Sequence, residues 1–541
     1  MLLPAVPRLI TTTLAALLLV SCAKQPTNVE RGFREQVLHL GNLSDPRDLD
    51  PHHNFDDSAF YTTMALFEGL VNFDPIDLHP VPGVAERWEV SPDGLVWTFH
   101  LRANARWSNG DPVTAEDFVF SARRMCSAAL GAEYSYLFHV LRGARDYLQG
   151  RQTDFAKVGV KAPDAGTVRY ELEHPCPYFL TLLAHIAWFP VHAPTVLKAG
   201  RIDEPYTGWS MPGKLVGNGP FALVSWRQNQ ELIVRKNPYY WDAARVQLQE
   251  IHYHPIESSE VEERAFRTGQ LQLTYDVPAN KIDLYRRTQP TVLLESPWYQ
   301  TRFISFNLAG PPFNDPRVRL AFGLAADRTQ LANFPVPRLA SAAPSASPPG
   351  FGYNYRGPAA MGLEVERARH LLAEAGYPDG RGFPRVEFRF DASDRSHDLA
   401  QALQEMWRKN LGVQVALASQ ENRLFFTSLN RGEYQFALDS YFGDYGDPNT
   451  FLSLWLTGAG NNHPRYANPA YDRLIDEANH QLDPAHRFAL LADAETLLLT
   501  DAPVAPLLHE IRFRLRHPSV RGWHGTLLEM HPLQDVRLDP P

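Results

Sequence analysis

Apolar and polar residues alternate along several segments of the chain, and in other segments apolar residues recur at helical spacing. Trp97, Phe99 and Leu101 alternate with polar neighbours and follow a Ser-Pro-Asp-Gly turn sequence. This pattern predicts a hairpin over 88–101 with one buried face. The same criteria predict strands over 36–42 and 215–256, a strand pair over 291–308, and helices over 59–70, 318–326 and 364–375.

A β-α-β order is present in the second half of the chain. A strand-like segment over 386–390 is followed by a helix-like segment over 399–407 and a second strand-like segment over 413–418. Such an order is typical of an α/β domain. The chain has 541 residues, which is long enough for about two or three domains with separate hydrophobic cores. The sequence therefore predicts an α/β protein of more than one domain.

The segment 434–455 is predicted to be a strand that ends in a loop, where α/β proteins often present ligand-contacting groups. Asp444 lies in this loop, flanked by Tyr441, Phe442 and Tyr445. A carboxylate between aromatic walls is suited to binding an ammonium group, because charge-assisted hydrogen bonds are stronger than neutral ones. The alternative is a turn-forming aspartate that caps the following helix. The residues alone leave both interpretations open.

The N-terminal segment has the pattern of an export signal. Arg8 precedes an apolar stretch over 9–20, which is too short for a spanning helix of about twenty residues but suits a signal peptide. The Leu-Val-Ser-Cys sequence ending at Cys22 resembles a bacterial lipobox. We therefore expect a signal peptide over 1–21, a lipid on Cys22 and a polar tether over 22–34. The alternative is an ordinary secretory signal in which this cysteine is incidental.

The composition and the motifs argue against a nucleic-acid-binding protein and against an enzyme. The net charge is −9, without long runs of like charge, whereas nucleic-acid-binding proteins present basic patches. Residues 208–214 approach a phosphate-binding loop, but Leu215 stands where Ser or Thr would hold magnesium. His252 and His254 share one face of a strand, yet no third metal ligand is near in sequence. No catalytic residue, metal site, cofactor or nucleic-acid partner is predicted.

Two cysteines remain after the predicted cleavage site. An exported chain enters an oxidising compartment, where Cys126 and Cys176 could form a disulfide. Sequence spacing does not show whether their Cα atoms are close enough to be bridged. Two buried free thiols are the alternative, because an unpaired cysteine behaves as a small hydrophobic residue.

Several sequence blocks, taken in order, resemble those of one protein family. Residues 441–452 are similar to the peptide-clamping segment of the oligopeptide- and dipeptide-binding family of bacterial extracytoplasmic solute-binding proteins, which are lipoproteins of ABC importers. Collinear blocks along nearly the whole chain are more specific than any single motif. The other blocks are 49–52, 66–70, 97–102, 107–118, 218–221, 237–241, 306–307, 312–319 and 373–377.

The resemblance implies a two-lobed periplasmic-binding-protein fold of the α/β class, with an extra domain inserted in the first lobe. Two crossings, near 299–303 and 506–513, would form a hinge. We expect a first lobe made of 35–74, 208–298 and 509–541, an inserted domain over 75–207, and a lobe over 299–508.

The resemblance also implies that a peptide is captured in the cleft and delivered to a membrane permease and ATPase of an ABC importer. Within the family a carboxylate meets the peptide's N-terminal ammonium, and Asp444 occupies that motif position. Leu438 stands where a basic residue for the peptide's C-terminus would be expected. Alternatives are the same fold binding murein peptides, a sugar, a metal chelate or haem; an enzyme or chaperone is a third class. The expected ligand-binding residues are Asp444, Tyr441, Phe442, Gly443, Tyr445, Tyr134, Tyr136 and His509.

The compartment and the oligomeric state complete these expectations. A lipid on Cys22 would hold the protein at a membrane surface in the periplasm or cell envelope. The family resemblance implies a monomer that docks on its transporter.

Overall fold

Three main sheets carry the fold in the computed structural model, which describes residues 26–54, 56–350, 355–359 and 361–540. The strands are β1 Val37–Gly41, β2 Val71–Phe73, β3 Pro80–Pro82, β4 Ala85–Val90, β5 Val96–Leu101, β6 Val160–Asp164, β7 Thr167–Glu171, β8 Phe221–Arg227, β9 Glu231–Lys236, β10 Glu250–His254, β11 Leu293–Phe306, β12 Ala340–Ala342, β13 Val386–Asp391, β14 Val415–Gln420, β15 Phe436–Phe442, β16 Val504–Leu515, β17 Val520–Arg521 and β18 Arg537–Leu538.

Helices connect and cover these sheets. The α-helices are α1 Asn28–Glu35, α2 Asp57–Leu66, α3 Ala115–Met125, α4 Ala144–Leu148, α5 Phe179–Leu183, α6 Ala193–Ala199, α7 Ser259–Arg267, α8 Ala279–Thr288, α9 Pro316–Leu324, α10 Arg328–Ala332, α11 Val365–Glu374, α12 Asp394–Leu411, α13 Asn422–Arg431, α14 Asn449–Leu452, α15 Pro469–His480 and α16 Pro484–Asp501. Short 3-10 helices include Glu133–Val140. No helix in the described part of the chain has both the length and the apolar character that crossing a membrane requires.

The first two sheets lie in the N-terminal half. One has the strand order β1-β10-β9-β8, and the other has the order β4-β5-β7-β6. The predicted hairpin over 88–101 is present as β4 and β5. Trp97, Phe99 and Leu101 point into the core, as their alternation predicts. The second sheet falls inside the predicted inserted domain, whose boundaries stay a prediction.

The third sheet has six strands in the order β12-β16-β11-β15-β13-β14. β13 runs parallel to both β14 and β15, and α12 makes the crossover between β13 and β14. Trp407 of this helix packs on Phe388 and Phe436 of the sheet, with ring centroids 5.0 and 5.4 Å apart. The β-α-β order read from the sequence is therefore present.

β11 and β16 are long strands of 14 and 12 residues that pair antiparallel. The first part of β11 packs in a small core with α8, and its second part enters the six-stranded sheet. Their register shifts between Pro297 and Thr301, next to the predicted first crossing. The expected strand pair over 291–308 is thus wrong in detail, because that segment is one continuous strand.

The expected tether over 22–34 is also wrong in its second part, because α1 begins at Asn28 and packs against β1. The Thr27 hydroxyl accepts the backbone N–H of Glu30 at 3.2 Å, and the Glu30 carboxylate accepts the N–H of Thr27 at 2.7 Å. This reciprocal capping fixes the start of the helix. The predicted signal peptide and Cys22 lie outside the described residues.

Both cysteines of the described chain are buried free thiols, so the structure selects the second of the two alternatives. Burial raises the pKa of Cys126 and of Cys176 to about 12. Both thiols are therefore protonated at neutral pH.

Candidate ligand-binding site

A cavity of about 210 Å³ lies where five parts of the chain meet. It is far larger than the roughly 10–15 Å³ that a single water needs, so it has room for a small ligand with bridging waters. Its lining comes from the start of α2, the inserted segment, β11, the loop after β15 and the C-terminal tail. The lining residues are Asp56, Asp57, Phe60, Tyr61, Tyr134, His185, Trp298, Gln300, Phe442, Asp444, Leu528, Glu529 and Met530.

The loop that carries Asp444 is held at both ends. Gly443, which precedes Asp444, donates its backbone N–H to the Tyr299 carbonyl at 2.8 Å. A Cβ at Gly443 would lie only 2.4 Å from the Tyr299 ring, so a glycine is required at this close approach. Asp444 donates its own N–H to the Thr450 hydroxyl at 3.0 Å. The position of the Asp444 carboxylate is therefore set by backbone contacts on each side.

The Asp444 carboxylate is bound by two tyrosine hydroxyls. Tyr441 donates to its Oδ2 at 2.5 Å, and Tyr136 donates to the same oxygen from the predicted inserted domain. Within the described part of the chain, Oδ1 receives no hydrogen bond. Burial raises the pKa of Asp444 above its ordinary value; the two hydroxyls oppose this shift, and Glu133 adds to it. An arriving cation would stabilise the ionised form.

The charges around the cavity favour a cationic ligand group. Four carboxyl side chains line it, and none of the described lining residues is Lys or Arg. His185 is neutral at physiological pH, because burial lowers its pKa to about 3. Arg514 neutralises Glu529 by donating to it at 3.0 Å, and Asp57 accepts the Tyr275 hydroxyl at 2.6 Å. Asp444 is bound by two hydroxyls, and no cationic side chain among the described residues forms an ion pair with it.

The walls of the cavity combine aromatic rings with polar groups that have no hydrogen-bond partner among the described residues. Trp298 packs on Phe442 with ring centroids 5.7 Å apart, and Tyr134 packs edge-on against His185 at 4.6 Å. The Trp298 Nε1 donor and the Gln300 Oε1 acceptor are buried, and neither has a hydrogen-bond partner in the part of the chain that the structure describes. Buried polar groups are normally satisfied, so these two are placed to bind a ligand or ordered water.

The structure brings together six of the eight predicted site residues. Tyr134, Phe442 and Asp444 line the cavity, and Tyr441 and Tyr136 donate to the Asp444 carboxylate. Gly443 fixes the backbone beside Asp444 through its contact with Tyr299.

The other two predicted residues lie elsewhere. Tyr445 is buried and stacks on Tyr178, with ring centroids 5.1 Å apart. His509 is buried against the Ser345 carbonyl, 3.1 Å from its Nε2, and burial lowers its pKa to about 4. Both residues make packing contacts with other segments of the chain, and neither lines the cavity.

Sequence reasoning missed several residues of the cavity. Trp298, Gln300, His185 and Glu529 come from segments far apart in the chain. Each stands in an ordinary local pattern, so only the folded arrangement identifies them.

Comparison with known proteins identifies the class. Residues 79–463 match the model of the bacterial extracellular solute-binding proteins, family 5. The chain belongs to this family. The match covers most of the chain and agrees with the resemblance drawn from its sequence blocks.

Two relatives in sequence and one solved structure show what the chain is similar to. The chain is 34% identical to the periplasmic oligopeptide-binding protein OppA of Salmonella typhimurium, covering 95% of this chain and 94% of that one. It is also 34% identical to the probable deoxycholate-binding periplasmic protein YgiS of Escherichia coli, covering 90% and 91%. The murein tripeptide-binding protein MppA of E. coli superposes with a TM-score of 0.83 at 30% identity, covering 93% of this chain and 99% of that one. The two-lobed fold is confirmed.

A second structure of MppA is also similar to this chain. The unliganded open form of MppA superposes with a lower TM-score of 0.76 over the same 93% of this chain. The hydrogen bond from Tyr136 to Asp444 joins segments 308 residues apart across the cavity. This hydrogen bond places the two sides of the cavity in contact.

Proposed function

We propose that this protein captures peptides in the cavity beside Asp444 and delivers them to the permease and ATPase of an ABC importer. The observation that carries the proposal is the Asp444 carboxylate, which is bound by Tyr441 and Tyr136 and has one oxygen without a hydrogen bond in the described chain. A peptide's N-terminal ammonium is the cation that this position suits, because it offers three donors and a positive charge. The relatives named as peptide-binding proteins support the same ligand class.

The rest of the peptide would be held mainly through its backbone. The unpartnered Trp298 donor and Gln300 acceptor match the carbonyl and N–H groups of an extended chain. Water-filled space around them would accept varied side chains. No described lining residue is Lys or Arg, and the buried Leu438 offers no charge, so no clamp for a C-terminal carboxylate is proposed.

A bile acid is the competing ligand suggested by one relative. Such a molecule carries a carboxylate at neutral pH. A cavity lined by Asp56, Asp57 and Asp444 would repel that charge, because like charges in a partly dry site raise each other's energy. The carboxylates therefore favour a ligand with an amine.

Peptide binding should shift the protein from open to closed lobes. The closed form alone contacts a ligand from both sides, and contacts such as Asn449 Nδ2 to the Tyr178 hydroxyl at 2.9 Å would form on closure. Small-angle scattering should give a smaller radius of gyration with a short free-amine peptide. The N-acetylated peptide at equal concentration serves as the control and should leave the radius unchanged. An unchanged radius with the free-amine peptide, when calorimetry confirms binding, would contradict the two-lobe mechanism.

The lipid should act only as an anchor. Cys22→Ser removes the thiol that would carry it, so we expect the protein to leave the membrane fraction with its peptide affinity unchanged. Fractionation followed by calorimetry measures both effects. Retention of the variant on membranes after a high-salt wash would refute the lipoprotein assignment. The protein is proposed to be a monomer at the periplasmic or cell-envelope side.

A further inference from the structure

We propose that the outer face of the first sheet is a zinc site formed by His39, His252, His254 and Glu231. None of these four residues lines the ligand cavity. β1 lies parallel to β10 with His39 opposite His252, and β9 continues the sheet on the other side of β10. Successive side chains of a strand point to opposite faces, so His39, His252 and His254 share one face.

The opposite face of the same strands is core. Leu38, Leu40, Ile251 and Tyr253 are at most 4% exposed. The histidines between them are only half-buried. Imidazoles are thus gathered on the accessible face of the sheet, where an ion can reach them.

The polar atoms converge closely enough for one ion. One ligand atom each from His39, Glu231 and His252 lies within 4.8 Å of the others. His252 Nδ1 is 2.8 Å from Glu231 Oε1, and His39 Nδ1 is 3.1 Å from His254 Nε2. His254 Nε2 is 3.9 Å from the same Glu231 oxygen. A tetrahedral zinc ion with bonds of about 2.0–2.1 Å keeps its ligand atoms roughly 3.3 Å apart, so small side-chain rotations suffice.

The protonation states of His39 and His254 suit metal binding. Burial lowers the pKa of His39 to about 3, with His252, His254 and Arg31 adding to the shift and Glu231 opposing it. Burial also lowers the pKa of His254. Neutral imidazoles are the forms that coordinate a metal.

The neighbouring charges orient the ligands. Arg227 donates to Glu231 Oε2 at 2.9 Å, which leaves Oε1 directed at the histidines. Glu250 Oε2 lies 3.1 Å from His252 Nε2 and is also paired with Arg235. A carboxylate on the second nitrogen of a histidine ligand is the usual support of a zinc site.

Three imidazoles and one carboxylate define the class of ion. Calcium and magnesium prefer oxygen ligands, whereas zinc takes nitrogen ligands with a carboxylate in a four-coordinate site. An ion here would join β1 to β10 and β9, and so fasten the N-terminal strand to the first sheet. Binding to the folded state would raise stability.

Titration of the full-length, untagged protein with Zn²⁺ tests this site. We expect calorimetry to show one ion per chain, Co²⁺ to give the visible absorption of a tetrahedral complex, and zinc to raise Tm by about 2 °C. His39→Gln and Glu231→Gln should each weaken zinc binding by at least about tenfold. Glu231→Gln preserves the side-chain shape and carries the test if His39→Gln fails to fold.

The matched control is His79→Gln. His79 lies beside Asp77 and Asp74 in an exposed cluster that also contains potential ligands. We expect zinc affinity in this variant to equal that of the original protein. Absence of zinc binding, or binding weakened by His79→Gln but unchanged by Glu231→Gln, would overturn the proposal.

Discussion

Replacing Asp444 by Asn is expected to lower the affinity for a free-amine peptide by at least about a hundredfold. Asn keeps the shape of the side chain, and its oxygen can still accept the hydroxyls of Tyr441 and Tyr136. It removes the charge, so a buried ammonium would lose its counter-ion, and breaking such a pair costs about 3–5 kcal/mol. Calorimetry measures the loss. Asp493→Asn, at an exposed position of α16, should leave the affinity unchanged.

A double-mutant cycle tests whether Asp444 contacts the N-terminal ammonium of the peptide. N-acetylation of the peptide deletes the ammonium and should weaken binding to the original protein by the same factor as Asp444→Asn. The two changes together should cost little more than either alone, because each already abolishes the same interaction. Fully additive losses would mean that Asp444 does not meet the amine and is instead a turn residue.

A large loss of stability is expected on replacing Arg487, which is paired with Asp447 in the same loop. Arg487 donates to both oxygens of Asp447 at 2.7 and 2.8 Å, and both side chains are 2% exposed. Its guanidinium also lies 5.2 Å from the centre of the Tyr178 ring. Arg487→Met leaves a buried carboxylate without a counter-ion, so the free energy of unfolding should fall by about 3–5 kcal/mol.

Urea unfolding followed by fluorescence measures this loss. Arg408→Met is the matched control, because Arg408 pairs with Glu405 on an exposed helix face and such pairs contribute only about 0.2–1 kcal/mol. Equal, small losses in the two variants would show that the buried pair does not fasten the loop.

Local signals in the sequence were sufficient for much of the fold. The hairpin of β4 and β5 follows from its turn and its alternating Trp97, Phe99 and Leu101. The start of α1 also had a local signal, because Thr27 is followed three residues later by Glu30. The expectation of a polar tether overlooked that signal. The continuity of β11 depends on its pairing with β16, which no local pattern encodes.

In the candidate site, some residues are neighbours in sequence and others are brought together only by the tertiary fold. Tyr441, Gly443 and Asp444 belong to one loop and could be recognised together. Tyr136 reaches Asp444 from 308 residues away, so its role depends on the tertiary fold. The histidines of the first sheet show the same limit, because His39 lies 215 residues from its neighbour His254. In the sequence, two strand histidines without a third ligand nearby give no reason to expect a metal.

Native mass spectrometry of the purified full-length chain, before and after unfolding, identifies the ligand that the protein carries. We expect the folded protein to carry extra mass that is released on unfolding, and the released molecules to fragment as short peptides with free N-termini. A single released compound of another kind, such as a bile acid, a sugar, haem or a metal chelate, would contradict this expectation.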